Sequence, residues 1–266
     1  MKRAIFFFVS AAAAWAATPL EQAYRSMYNL DFPGARQILG QYESTHREDP
    51  MGPVSEAAAD LFGEFDRLRV LQSEFFTDDK SFFAREKTLV PDPSMQKSFR
   101  AALARGDQVV TEALRRNPDD ANAQLARLLR IGLHADYTAF IEKRNMAALT
   151  EVKESRSLAE SLIARHPDNY DAYLAIGVEN YMLSLKPAPV RWVLRLGGAQ
   201  TDREAGIEKL RITAEKGHLL LPYARLLLAV AALRDKDVAG AKAILLWLSN
   251  EFPANRLYRE ELAKLK

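Results

Sequence analysis

From Leu20 to Leu265 apolar residues recur at spacings of three and four, and no segment alternates apolar and polar positions with β-branched residues over a strand's length. The period predicts helices over 20–30 and 33–47, joined by Asp31-Phe32 with Pro33 at a helix start. A longer run over 53–74 places Ala57, Leu61, Phe65, Leu68 and Leu71 on one face. Helices follow over 94–116, 121–134 and 147–165, the last two joined by a short segment, 136–145. The pattern then gives 170–185, a short insert at 190–196, a helix opened at Thr201, and helices over 221–233, 238–248 and 255–265. The 221–233 run is apolar nearly all round, so it should be sandwiched between neighbours.

The punctuation between these runs repeats. Four of them end in Asp49-Pro50, Asn117-Pro118-Asp119, His166-Pro167-Asp168 and Phe252-Pro253-Ala254. Proline has no amide donor and a fixed φ, so it ends one helix and suits the first turn of the next. Thr201-Asp202-Arg203-Glu204 reads as a capping box, and Lys216-Gly217 as a helix end with a basic last turn and a C′ glycine. Between 75 and 93 the pattern breaks, and Phe75, Phe76, Phe82 and Phe83 should anchor that stretch to a neighbouring helix. The prediction is an all-α chain of stacked antiparallel helix pairs.

Particular residues resemble the tetratricopeptide repeat family. Ala241, Leu245, Leu248 and Pro253 stand at that repeat's second-helix spacing, and Tyr173, Ile176, Gly177 and Tyr181 are similar to its first helix. Leu30-Asp31-Phe32-Pro33-Gly34-Ala35 looks like its connecting turn. Gly197, Gly198, Asp202, Arg203, Glu204 and Gly206 also resemble a stretch found in a group of secreted bacterial repeat proteins. The resemblance implies a TPR-like α-solenoid, irregular over 17–168 and clearest over 169–266. It implies a concave face that holds an extended peptide or a partner helix. On that face the resemblance would place Leu174, Glu179 or Asn180, Tyr181, Tyr223 and Arg225.

Composition adds a location. Lys2 and Arg3, the apolar run 4–14 and Ala14-Trp15-Ala16 form the three parts of a secretory signal peptide over 1–16. The apolar run is too short for a stable membrane span. Cleavage after Ala16 would leave 35 basic and 35 acidic residues, a balance that argues against nucleic acid as a partner. The chain has no cysteine, hence no disulfide and no thiolate nucleophile. The expectation is an exported protein, periplasmic or secreted.

Candidate chemistry is sparse. His46, His134, His166 and His218 are scattered, none in a metal-binding pair, and no nucleophile-elbow, phosphate-loop or dinucleotide motif occurs. Gly197-Gly198 before a helix could cradle an anion, but Asp202 and Glu204 would repel it, which favours a structural cap. Arg203 should then be partly buried in an ion pair that pins the insert. Arg100, Arg105, Arg115, Arg116, Arg127 and Arg130 could form a basic strip, yet interspersed acids favour a solvated face. The insert from Lys186 to Trp192 goes beyond scaffolding. Arg191 and Trp192 are hot-spot residue types, while the alternative has Trp192, Val193 and Leu196 plug a gap between helix pairs.

These observations predict no enzyme and no cofactor or metal. They predict a scaffold that binds another envelope protein or a peptide. The competing reading is a carrier of a small apolar ligand such as a lipid, with the apolar 226–233 helix and the four phenylalanines lining a cavity.

Overall fold

The computed structural model describes residues 17–72 and 89–265. The expected signal peptide and Phe75, Phe76, Phe82 and Phe83 lie outside the described residues. Among those described there are twelve α-helices, one 3-10 turn and no strand: the fold is all-α. The helices are α1 (Pro19–Tyr28), α2 (Phe32–Thr45), α3 (Met51–Arg67), α4 (Pro93–Arg116), α5 (Ala121–Phe140) and α6 (Asn145–Arg165). A 3-10 turn (Tyr170–Ala172) leads into α7 (Tyr173–Ser184), α8 (Ala188–Leu196), α9 (Arg203–Lys216), α10 (Leu221–Arg234), α11 (Val238–Glu251) and α12 (Arg256–Lys264).

Side-chain caps start most of these helices. Thr18 and Glu21 form a reciprocal capping box on α1, and Asp31, Asp92, Asp120, Asp202, Asp237 and Asn255 each accept a first-turn amide. The proline turns therefore work by division of labour. Pro118 and Pro253 lie in the turn itself, and Asp120 and Asn255 cap the helix that follows.

Three predicted boundaries move, and a fourth stays in place with a different backbone conformation. The α3 helix begins at Met51 rather than Pro53, because Asp49 Oδ1 accepts the Met51 amide at 2.9 Å. The α5 helix runs on to Phe140, so Asp136 is helical and not part of a connecting segment. The cap of α9 is Asp202, not Thr201, whose hydroxyl is buried and accepts a hydrogen bond from Arg195 Nε at 2.6 Å. Gly217 ends α9 with φ −60 and ψ 156, an extended rather than left-handed conformation. Glycine is needed there for space: a Cβ would stand 2.7 Å from Asp171 Oδ1 and 2.6 Å from the Thr213 carbonyl oxygen.

Helices adjacent in sequence pack against each other along the chain except at α8, where α7 packs directly on α9; α3 also packs on α1 and α5. Small residues set the spacing: a Cβ on Gly206 would lie 2.6 Å from the Tyr181 amide nitrogen. Gly206→Ala should therefore force α9 off α7 and cost roughly 1–3 kcal/mol, read as a lower urea midpoint at unchanged slope.

The two ends of this array meet. Tyr28 Oη donates to the Leu219 carbonyl at 2.8 Å, Asn255 Nδ2 donates to the Tyr28 carbonyl at 2.8 Å, and the Ala254 amide donates to Asn29 Oδ1 at 3.0 Å. Arg25 pairs with Glu251, and His218 with Glu21 at 2.6 Å. An open solenoid keeps its first and last units apart. Here α1 bridges to the turns that precede α10 and α12, so the inward faces of the helices surround a common interior.

Candidate functional site

That interior contains a cavity of about 240 Å³. Protein interiors pack at crystal density and hold few voids larger than one water molecule. This void is on the order of twenty times the ~10–15 Å³ that a single water needs. Its wall is built from the inward stripes of α1, α3, α5, α7, α10 and α12: Met27 and Tyr28, Phe62 and Phe65, Leu129 and Phe140, Leu174 and Val178, Leu226 and Leu233, Leu257 and Tyr258. The apolar 226–233 run does line a cavity, on one side, while Ala224 and Ala231 are buried away from it.

The polar members of the wall are few, and most are already engaged. Asp171, on the 3-10 turn, accepts the amides of His218, Leu219 and Leu220 at 2.9, 2.9 and 3.1 Å, and so holds the entry to α10. Glu261 pairs with Lys264 at 2.8 Å. Tyr28 donates to Leu219, and the Tyr24 hydroxyl accepts from Ser55. Burial pushes Tyr24 up to about 12, and pushes Tyr28 and Tyr258 up as well, so all three stay neutral hydrogen-bonding groups. None of the described lining residues is Lys, Arg or His.

Asp136 is different. It follows Leu128, Leu129 and Gly132 on the inward stripe of α5, a polar residue at an apolar position. Among the described residues nothing donates to its carboxylate and no cation faces it; burial alone acts on it and pushes its carboxyl up to about 7. Asp136 is half-buried and lines the cavity. The charge of Asp136 also bears on Tyr223, on α10, whose hydroxyl is raised by burial first and by that carboxylate second. Tyr223 lines the same cavity, with its ring edge-on to Phe62 at 5.7 Å.

The sequence-predicted residues distribute unevenly. Leu174 and Tyr223 line the cavity. Asn180 and Tyr181 do not reach any free face. They are buried between α7 and α9, where the Asn180 amide donates to the Ile176 carbonyl and to Gln200 Oε1, its oxygen accepts the Asp202 amide, and Arg203 lies over the Tyr181 ring. Glu179 is fully buried too, held by Arg156 Nε at 2.9 Å and the Gln200 amide at 3.0 Å. Close packing around Gly177 and Gly206 draws this whole face of α7 inward. Arg225 donates to the Ala214 carbonyl at 3.0 Å and lies over the Trp247 ring at 3.8 Å.

The insert is not a plug. No residue of α8 is buried, and Trp192, Val193 and Leu196 are 64%, 61% and 70% exposed. Arg191 reaches the Lys186 carbonyl at 2.9 Å and Arg195 reaches Thr201, so the arginines tether the helix and its apolar side faces out. Arg203 is half-buried as expected, but its partner is Asp235 at the end of α10 rather than the insert. The six arginines of the supposed strip are each paired: Arg100 with Glu142, Arg105 with Glu56, Arg115 with Glu112, Arg116 with Glu48, Arg127 with Glu154 and Arg130 with Asp107. His134, His166 and His218 each face one carboxylate, and His46 stacks on Tyr42 at 4.2 Å.

Asp136 is the residue that sequence reasoning missed. The signal was there in the continuation of the stripe from Gly132 through Asp136 to Phe140, four residues at a time, past the point where the helix was predicted to stop. The chain matches no protein-family model, no curated protein and no solved structure at a significant level.

Proposed function

We propose that this protein is a non-enzymatic carrier, exported to the cell envelope, that holds one small and largely apolar ligand inside its helical ring. The observation that carries this reading is the cavity of about 240 Å³. Protein interiors seldom keep a space of this size, so its presence supports an occupant. The wall has the composition of a ligand site: apolar, with a few convergent polar groups.

Native mass spectrometry of gently purified protein tests the reading. The expected spectrum shows a discrete added mass that organic extraction removes, and Ala175→Phe, which puts a ring into the cavity wall, should reduce the bound fraction. Protein that runs bare in every preparation, and whose stability the Phe substitution raises, would overturn it.

A second reading is favoured by a separate observation. The outward apolar side of α8 supports a scaffold that docks another envelope protein, in keeping with the tetratricopeptide resemblance. Burial of Ala241, Leu245 and Leu248 also supports that family reading. Here crosslinking in envelope extract should recover a specific partner that Trp192→Ala/Leu196→Ala loses; recovery of the same set by both proteins would count against it.

A further inference from the structure

This inference rests on the carrier reading and names the chemistry of the ligand's polar end. We infer that the ligand joins an apolar body to a cationic nitrogen, a protonated amine, and that the Asp136 carboxylate inside the cavity meets its charge.

Three observations converge. First, Asp136 is a carboxylate on an otherwise apolar stripe of α5, with no donor and no cation facing it among the described residues. A half-buried carboxylate in an apolar wall has lost part of its water, a cost that a paired charge or hydrogen bond restores. A partner supplied by the ligand resolves the anomaly.

Second, the sign of the wall is uniform. Asp136, Asp171 and Glu261 line the cavity and no described lining residue is basic. Asp171 has its oxygens occupied by three amides and Glu261 has Lys264, which leaves Asp136 for the ligand. A fatty-acid carboxylate would enter this field with nothing to neutralise it. An ammonium would be drawn in, and in a low-dielectric interior the attraction is strong.

Third, aromatic rings stand in the same wall. Tyr223 and Phe140 both line the cavity, and ring faces attract cations, more so where water is excluded. Tyr223 carries a hydroxyl that adds an acceptor for an ammonium hydrogen. The Asp136 charge already bears on that hydroxyl, so the two groups act on one locus.

Titration calorimetry on the ligand-stripped chain tests this with three probes: a straight-chain alkylamine, and the alcohol and the carboxylic acid of the same length. The amine is expected to bind roughly a hundredfold tighter than the alcohol, as a buried charge pair implies, and the acid most weakly. In Asp136→Asn the preference for amine over alcohol should collapse toward one, and Asp136→Ser should repeat the result. Equal binding of amine and alcohol by the parent chain, a preference for the acid, or a preference that survives both substitutions would overturn the inference. Should the alcohol bind best, Asp136 serves instead as a protonated donor to a neutral ligand. Should none of the three bind the parent chain, the carrier reading itself fails.

Discussion

Asp136→Asn, stripped of ligand, is expected to withstand more urea than the parent chain near pH 8, while near pH 4 the two should unfold almost together. The sign follows from the direction of the shift. Burial raises the Asp136 carboxyl from 3.8 to about 7, so the folded state holds its proton more tightly than the unfolded state does. Below the unfolded value both states are protonated and the residue costs little. As pH rises from about 4 through about 7 the unfolded chain ionises freely, the folded chain resists, and stability is lost. Each pKa unit is worth about 1.4 kcal/mol, so the difference at pH 8 is at most about 4 kcal/mol, less to the extent that water shares the cavity. A neutral amide of the same shape removes that penalty. A variant less stable than the parent at pH 8 would mean that Asp136 has a favourable partner within the chain, and the argument for a ligand cation would fail with it. With bound ligand the order should reverse, because the carboxylate then has its partner and the amide does not.

The second large effect belongs to Asp171. Its carboxylate holds the amides of His218, Leu219 and Leu220, and the same turn presents the Leu219 carbonyl to Tyr28. Asp171→Ala strands three amides at the buried entry to α10 and loosens the junction that joins α1 to the rest of the ring. The expected cost is about 3–5 kcal/mol in urea denaturation. Hydrogen exchange at 218–220 should accelerate well beyond the global change, because the opening is local. Asp171→Asn keeps one acceptor and should fall between. A cost below about 1 kcal/mol would show that water satisfies these amides and that Asp171 does not hold the turn.

Both predictions concern residues whose roles are unequally legible in the chain. Asp171 follows a proline turn and reads as an ordinary early-helix acid; its three donors lie 47 to 49 positions away. Asp136 falls at the start of the segment expected to connect two helices, yet helix α5 continues because its apolar positions still recur every three or four residues. Thr201 illustrates a different failure. Its sequence satisfies a capping box, and Asp202 one position later satisfies a simpler cap; the burial of Thr201 against Arg195 decided between them. For Asn180 and Tyr181, family resemblance pointed to an inward face, but the approach of α9 at Gly206 covers it. The exposure of α8 decides between the two readings of Trp192 against the plug, since the tethering arginines turn its apolar side outward.

The sequence by itself determined the class of fold and nearly all the helices, because the apolar period is a local property fixed within a few turns of chain. It also determined that the 221–233 helix must be covered on several sides. Only the tertiary structure decided that the array closes on itself. The contacts that close it join residues 191 to 227 positions apart, and no local pattern encodes them. Closure in turn decided the site. An inward apolar stripe reads the same whether it meets a neighbour or an empty space, so the cavity, and the lone carboxylate facing into it, become visible only when all the stripes are assembled around one interior.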